Sequence, residues 1–277
     1  MSKNSKKTKI AIIAGRGDLP KMLIKKCQEE NREFFLVLIK GEESNKDFVK
    51  FEHTEINFGE ISKILAILKE QKVKELVFVG GVSKPSMSGI KVDKKGAVLL
   101  SKIVGNKFFG DNNLLSTIIN FFEKEGFKVV GADEVIDDLV AKKGVLGKVK
   151  PSAKNNKDIE MGVNALKLMS DLDIGQALAV QQGQIIGVEA IEGTDALINR
   201  CTKLQFPKGE RAVLVKMKKQ NQSTKIDLPA FGIETVNNLA KAGFAGVALQ
   251  AGYCLIINQK EVLKAADAKG IFILGID

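Results

Sequence analysis

Acidic residues in the second half of the chain have the spacing of a metal-assisted site for phosphate chemistry. Glu189 interrupts a run that otherwise indicates a buried strand, and Glu192 and Asp195 follow it at the start of a predicted helix. Asp227 precedes another predicted helix. Close carboxylates repel one another by roughly 4 kcal/mol per pair at intermediate dielectric, and they repel phosphate groups too. Because magnesium takes carboxylate and phosphate oxygens together, these residues are candidate metal ligands.

A second interpretation of the same residues needs no metal. Thr194 can cap the helix that follows it, Asp195 can face the positive end of that helix, and Asp227 can lie in a turn. Neither capping nor a turn accounts for Glu189, an acid at the end of an apolar strand. Both interpretations stay open at this point.

Glycine-rich loops in the first half could hold a phosphate group. Residues 15–20 (GRGDLP) lie between a predicted strand and a predicted helix, where backbone N–H groups and the helix dipole favour an anion. A second glycine pair ends another strand and is followed by a lysine that could neutralise phosphate charge. A plain tight turn and a surface lysine explain these residues equally well. The candidate binding residues here are Gly15, Gly17, Gly80, Gly81 and Lys84.

The composition argues against several other kinds of site. His53 is the single histidine, so neither a Ser-His-Asp triad nor a histidine-rich metal site is expected. The net charge is +10, but nearly all basic residues are lysines, and the chain has one Tyr and no Trp. Nucleic-acid binding favours arginine and stacking aromatics, so it is not expected. The three cysteines form no CxxC pair, and we expect no disulfide or zinc site.

The elements that must position the candidate residues change along the chain. Residues 1–140 alternate apolar strands with amphipathic helices, which predicts a Rossmann-like α/β domain with a parallel sheet. Residues 141–157, rich in Gly, Asn and Lys, are typical of a linker or lid. Residues 158–277 contain a hairpin, further strands and helices, which predicts a second α/β domain with a mixed sheet.

Membrane and targeting segments are not expected. No apolar run approaches the ~18 residues of a membrane span. The basic N-terminus is followed by an apolar run too short for a signal peptide. We therefore expect a cytoplasmic protein, and its positive charge would favour an anionic substrate or membrane surface.

Strings in both halves of the chain resemble the LpxI family. The specific strings are EAIEGTDA at residues 189–196 and DLP-x-x-G-x-x-T-V at residues 227–236, and weaker matches run collinearly from residue 9 to the C-terminus. The resemblance implies hydrolysis of UDP-2,3-diacylglucosamine to UMP and 2,3-diacylglucosamine 1-phosphate (lipid X), a step of lipid A synthesis. It also implies Mg²⁺ as cofactor, with Mn²⁺ as a substitute, and a water that attacks phosphorus.

The resemblance also suggests a role for individual residues. Asp227 is the leading candidate for the catalytic residue, either as a magnesium ligand or by orienting water. The second domain would carry catalysis and lipid binding, and its further candidates for substrate binding are Gly193, Thr194, Lys216, Gln222 and Lys225. Before Asp227 the chain departs from the family pattern, roughly K-P-x-Q-D-x-R-x-D. Lys225 there keeps the positive charge of arginine but loses its bidentate fork.

The expected partner is a lipid-linked UDP-sugar, with peripheral contact at the inner membrane surface. The sequence leaves the oligomeric state open, and a homodimer is one alternative. The rival function is a non-enzymatic nucleotide or nucleotide-sugar binding protein of regulatory type, which would keep the glycine loops and use the carboxylates as caps. An NAD-dependent oxidoreductase is disfavoured by Pro20, which stands where a GxGxxG loop has its third glycine.

Overall fold

The computed structural model describes residues 7–42, 46–82, 92–105, 111–172, 174–219, 225 and 228–277. Within these ranges the chain divides into two units. The first runs to Asp137 and includes Lys225, and the second contains the described residues from Asp138 onward other than Lys225. Each unit has its own sheet and its own buried apolar cluster.

The first unit is built on a sheet in which every strand pairs in parallel. Apolar side chains fill most of its strands, and β1, which is buried throughout, lies between β2 and β4. The strand order is β3-β2-β1-β4-β5, so the direction of winding reverses beside β1. The strands are β1 (Ile10–Ala14), β2 (Phe34–Ile39), β3 (His53–Ile56), β4 (Glu75–Val79) and β5 (Lys128–Val129).

The helices of the first unit cover this sheet with their apolar faces. In the second of them Ile61, Ile64, Leu65 and Leu68 are buried at the spacing of an amphipathic helix. The first helix carries Pro20 in its first turn, where the missing N–H has no helical partner to lose. The helices are α1 (Leu19–Glu29), α2 (Ile61–Glu70), α3 (Lys94–Gly105) and α4 (Asp111–Lys124).

The second unit contains a mixed sheet with the order β6-β13-β11-β9-β7-β8. Its central strands β9, β11 and β13 are parallel, and β6, β7 and β8 pair antiparallel with their neighbours. A separate pair, β10 with β12, is parallel. The strands are β6 (Gly144–Val145), β7 (Ala177–Gln181), β8 (Gln184–Val188), β9 (Val213–Lys216), β10 (Ala230–Phe231), β11 (Gly246–Gln250), β12 (Leu255–Ile256) and β13 (Phe272–Ile276).

Helices cover both faces of the mixed sheet. Side chains of β9 alternate between the faces, so Val213 and Val215 pack with α5, while Leu214 packs with the other three helices. Gly162 brings α5 close to the sheet, because a Cβ at this position would lie 2.6 Å from Val215 Cγ2. The helices are α5 (Ala153–Met169), α6 (Thr194–Cys201), α7 (Ile233–Lys241) and α8 (Gln259–Ala268).

These two sheets confirm the predicted α/β class, with a parallel sheet first and a mixed sheet second. The segment 141–157 contains β6, which pairs with β13, and the start of α5. Helix α5 begins at Ala153, inside the segment expected to be a linker or lid, because Ser152 and Asn155 form a capping box. Of the further strands expected in residues 158–277, the apolar run at 254–258 contains only the two residues of β12, which pair with β10 outside the six-stranded sheet. No helix in the described ranges is long and apolar enough to cross a membrane.

Candidate active site

In the first unit, two glycine loops meet at the ends of neighbouring strands. Arg16 N donates to the Gly81 carbonyl at 2.7 Å, and Gly81 N donates back to the Arg16 carbonyl at 3.0 Å. A Cβ on Gly15 would overlap the Gly81 carbonyl oxygen, and one on Gly80 would lie 2.5 Å from the Arg16 carbonyl oxygen. Only glycine allows this approach. The structure thus brings Gly15, Gly80 and Gly81 together where ligands of parallel α/β sheets bind.

Charged groups at this edge are also fixed. Arg16 Nε lies 3.7 Å from Glu42 Oε2, and the Glu42 side chain is buried. Glu42 follows β2, roughly where a Rossmann protein keeps its ribose-binding acid, whereas sequence reasoning did not include Arg16 in the site. The signal for it is the position of Arg16 inside the Gly15–Gly17 turn. Gly17 lies beside this pair with a positive φ of 101° and open space around it.

In the second unit, Glu189 and Lys216 come to the same edge of the mixed sheet. Strand β7 pairs antiparallel with both β8 and β9, with Leu178 opposite Val188 and Ala177 opposite Lys216. The end of β9 and the residue after β8 are therefore close. Both charged residues are only 5% exposed. Buried charges need partners, so this edge is a polar site inside an otherwise apolar layer.

Thr194, at the start of α6, bridges these two charges. Its hydroxyl donates to Glu189 Oε1 at 3.0 Å and accepts from Lys216 Nζ at 2.7 Å. Gln176 N donates to Glu189 Oε2 at 3.2 Å. The proposed capping role of Thr194 is wrong, because Gly193 is the N-cap residue of α6 and the threonine hydroxyl bonds to the buried charges.

The remaining predicted acids of this unit have different surroundings. Among the described residues, Asp195 Oδ1 is the one buried side-chain oxygen or nitrogen without a hydrogen-bond partner. Leaving such an atom unpaired costs about 1–3 kcal/mol, so it is a candidate ligand atom. Glu192 is exposed, and its Oε1 lies 2.8 Å from Arg200 Nη2. That hydrogen bond lowers the pKa of Glu192. Sequence reasoning missed Arg200.

The predicted metal ligands do not form one cluster in the described part of the chain. There, no group of three or more His, Cys, Asp and Glu side chains is placed to hold a metal ion. Of the three predicted ligands that the structure describes, Glu189 is bonded by Thr194 and Glu192 by Arg200, whereas Asp195 keeps a buried oxygen without a hydrogen bond. Magnesium is often held by one or two carboxylates with water and phosphate oxygens, so Asp195 is compatible with such a site.

Other candidate residues are placed as follows. Lys84, Gln222 and Asp227 lie outside the described residues. Lys225 Nζ lies 2.6 Å from Glu123 Oε1, and both side chains are partly exposed. The structure therefore describes Lys225 in an ion pair within the first unit.

Lys218 lies at the same edge of the mixed sheet as Glu189 and Lys216, and sequence reasoning missed it. Its backbone N–H donates to Gln250 Oε1 at 3.0 Å, and its Nζ lies 5.6 Å from the centre of the Tyr253 ring. Burial lowers the pKa of this lysine. The signal that could have found it is its place just after β9, because Gln250 ends the parallel neighbour β11.

Comparison with known proteins covers both units. The LpxI N-terminal domain model matches residues 9–139, and the LpxI C-terminal domain model matches residues 142–274. The UDP-2,3-diacylglucosamine pyrophosphatase LpxI of Caulobacter vibrioides is 34% identical over 274 residues, which are 97% of this chain and 98% of that protein. A UDP-N-acetylglucosamine 4-epimerase structure from Bacillus cereus covers 98% of this chain with 76% of its own. Its TM-score of 0.31 and identity of 13% are too low to indicate a shared fold. From the two domain matches and the near full-length relative, the chain belongs to the LpxI family.

Proposed function

We propose that this protein hydrolyses the pyrophosphate of UDP-2,3-diacylglucosamine, releasing UMP and 2,3-diacylglucosamine 1-phosphate for lipid A synthesis. The observation that carries the proposal is the similarity, along nearly the whole chain, to a protein named for this activity. The paired charges at the edge of the second sheet support it, because a buried lysine beside hydroxyl and carboxylate groups suits a substrate with phosphate charge.

The chemistry asked of these residues is positioning and charge stabilisation. Hydrolysis of a pyrophosphate requires a water aligned with phosphorus and cations near the oxygens that gain charge. Lys216 would supply one such cation. In the first unit, the backbone N–H groups at the open Gly17 turn before α1 are a separate candidate for binding a phosphate. Asp227 would orient the attacking water or hold a metal. No histidine is needed for these tasks.

The experiment that tests this function follows UMP directly. Purified protein is incubated with UDP-2,3-diacylglucosamine, and UMP and the acylated sugar phosphate are separated by chromatography. We expect both products in equal amounts. Binding of the substrate without UMP release would instead favour the rival function, a nucleotide-sugar binding protein of regulatory type.

We also propose Mg²⁺ as the cofactor, with Mn²⁺ as a substitute. Asp195, which has an unpaired buried oxygen, is the described residue that would hold it, and Asp227 is a second candidate because it begins the string at residues 227–236 that resembles the LpxI family. When bound, the ion would neutralise phosphate charge. Glu192 is a weaker candidate, since Arg200 already balances its charge.

Removal of divalent cations should therefore stop UMP release. We expect protein treated with excess chelator to lose activity by a factor on the order of 10² or more, and to regain it with Mg²⁺ or Mn²⁺. The melting temperature of the chelated protein is the control for folding. Undiminished turnover in excess chelator would contradict the metal proposal and leave the lysines as the only cations.

We propose further that the protein is cytoplasmic and meets its lipid substrate at the inner membrane surface. Three aliphatic side chains near the Glu189 edge of the mixed sheet are strongly exposed: Leu168 is 80%, Leu172 69% and Ile191 100% exposed. Leu168 lies in the last turn of α5 and Leu172 ends the short 3-10 helix that follows it, while Gly175 contacts the Glu189 backbone two residues before Ile191. This aliphatic patch supports insertion into a lipid surface.

The aliphatic patch can be tested by vesicle flotation. Replacing Leu168 and Leu172 together by serine should lower binding to phosphatidylglycerol-containing vesicles by roughly tenfold or more, because each buried leucine contributes about 1.5–3 kcal/mol. The control is Leu204→Ser, an exposed leucine beyond the other end of α6. Unchanged flotation of the double variant would contradict this surface assignment.

Light scattering on the same protein samples decides between a monomer and the homodimer left open by the sequence.

A further inference from the structure

A chain of two hydrogen bonds, here called the relay, joins Glu189 to Lys216 through the hydroxyl of Thr194. A threonine hydroxyl has a single hydrogen to donate and lone pairs that accept. Here the hydrogen goes to Glu189 Oε1 at 3.0 Å, and a lone pair receives Lys216 Nζ at 2.7 Å. The carboxylate and the ammonium group are thus joined by one oxygen atom, with both charged residues buried.

The lysine end of this relay is held rigidly but keeps donors to spare. The backbone of Lys216 pairs with Ala177 on one side and Leu249 on the other, and Cys254 Sγ lies 3.5 Å from its carbonyl oxygen. Its ammonium group has three N–H donors. Among the described residues, Thr194 Oγ1 is the acceptor that the structure shows for this group. Further N–H groups of Lys216 are therefore able to meet an anionic oxygen.

The carboxylate end is held by the protein on both oxygens. Thr194 donates to one, Gln176 N donates to the other at 3.2 Å, and Glu189 N in turn donates to the Ala177 carbonyl at 2.9 Å. The backbone of Gly175 packs against the Glu189 carbonyl so closely that no side chain fits there. Glu189 thus has the surroundings of a fixed counter-charge, in contrast to the unpaired oxygen of Asp195.

We propose that Glu189 is a positioning residue that, through the Thr194 hydroxyl, holds the Lys216 ammonium group in place to take up charge on the pyrophosphate oxygens during hydrolysis. This assignment rests on the proposed function and replaces the predicted role of Glu189 as a metal ligand. Lys216 is then the catalytic residue of the relay, since it meets the substrate. Thr194 fixes both the distance and the orientation between the two charges.

The relay predicts a specific pattern among variants. Lys216→Met and Thr194→Val should lower kcat by a factor on the order of 10², the usual loss for one donor to a developing oxyanion, while KM changes little. Thr194→Ser keeps the hydroxyl and should restore most of the rate. Lys264→Met removes an exposed lysine of α8 and is the matched control for charge. Melting temperatures are measured for every variant, and kcat is taken well below them.

Metal binding provides the readout that separates positioning from ligation. Glu189→Gln should lower kcat but leave Mn²⁺ affinity, measured by titration calorimetry, unchanged. A loss of Mn²⁺ affinity of about tenfold or more, which is typical for a lost ligand or its direct support, would overturn the assignment. So would equal kcat in Thr194→Val and Thr194→Ser, or a rate in folded Lys216→Met equal to that of Lys264→Met. If the wild-type protein itself releases no UMP, the proposed function has failed, which is a distinct result.

Discussion

Asp227→Ala protein should fold and bind UDP-2,3-diacylglucosamine but release almost no UMP. Asp227 lies outside the described residues, yet the chain directly after it is well fixed. Pro229 is buried, its carbonyl accepts from Leu255 N at 2.7 Å, and β10 begins at the next residue. Proline also disfavours helical geometry at Leu228. The sequence thus puts the candidate carboxylate two residues before a buried, hydrogen-bonded proline.

We expect Asp227→Ala to lower kcat, because the carboxylate contributes most in the transition state. A group that holds water or metal contributes most as charge develops, so its removal lowers kcat. Truncation at an element boundary costs stability of about 1 kcal/mol or less unless a cap is lost. Removal of a negative charge beside a pyrophosphate could even tighten substrate binding. We therefore expect kcat to fall by at least about 10², with KM equal or lower.

Turnover and substrate affinity should be measured on the same Asp227→Ala preparation, with circular dichroism to check folding. Asp137→Ala serves as the control, since it removes an exposed aspartate whose ion pair with Lys26 lies on the first unit. If the folded Asp227→Ala protein kept more than about a tenth of normal turnover, a loss under about 1.4 kcal/mol of barrier, Asp227 would not be a catalytic residue. An unfolded variant would favour the turn or capping role instead.

Gly175→Ala should cost both stability and activity. Gly175 has a φ of 41°, and a Cβ on it would overlap the carbonyl oxygen of Glu189 and lie 3.0 Å from Glu189 Cβ. The positive φ costs an alanine about 1–2 kcal/mol. The overlap adds about 1–3 kcal/mol, because the exit of β8 must move to admit a methyl group. A movement of Glu189 would also lengthen its bond to Thr194, so kcat should fall together with the free energy of unfolding.

Gly183→Ala is the matched control for this substitution. Gly183 is also a positive-φ glycine, at 73°, but a Cβ on it would meet nothing within 4 Å. It lies in the turn between β7 and β8, at the opposite end of the hairpin from Glu189. Urea denaturation should show a loss of only about 1–2 kcal/mol for Gly183→Ala, with kcat unchanged. Equal losses of unfolding free energy in the two variants would mean that the contact between Gly175 and Glu189 contributes nothing to the cost of the substitution.

Much of the fold could be predicted because several strands are apolar along their whole length. The apolar runs at residues 9–14, 34–39 and 75–79 predict strands β1, β2 and β4, and the glycine between two apolar runs predicts the hairpin of β7 and β8. Strand β3 was missed, since its sequence HTEI contributes a single buried side chain at the sheet edge. The short β10 and β12 were also beyond sequence patterns, because two residues have no periodicity.

The candidate site could be predicted only in part. Glu189 was singled out as an acid that a buried strand does not explain, and the structure shows that it is buried. Its partners could not be derived, because the approach of Lys216 depends on the register between β7 and β9. The pairing of Glu192 with Arg200 likewise needs the turn of α6. The sequence pattern therefore assigned these neighbouring acids to one site, while the structure gives each of them a different partner.

The central place of β9 in the mixed sheet has a consequence for how the site is assembled during folding. The backbone partners of Lys216 are Ala177 and Leu249, which lie far from it on either side along the chain. Closure of such long loops costs entropy before any pairing compensates for it, so sheets of this kind form slowly. Lys216 reaches its final position only after the chain from β7 to β11 has come together. In a newly synthesised chain, Lys216 therefore has no fixed position until most of the second unit has been synthesised.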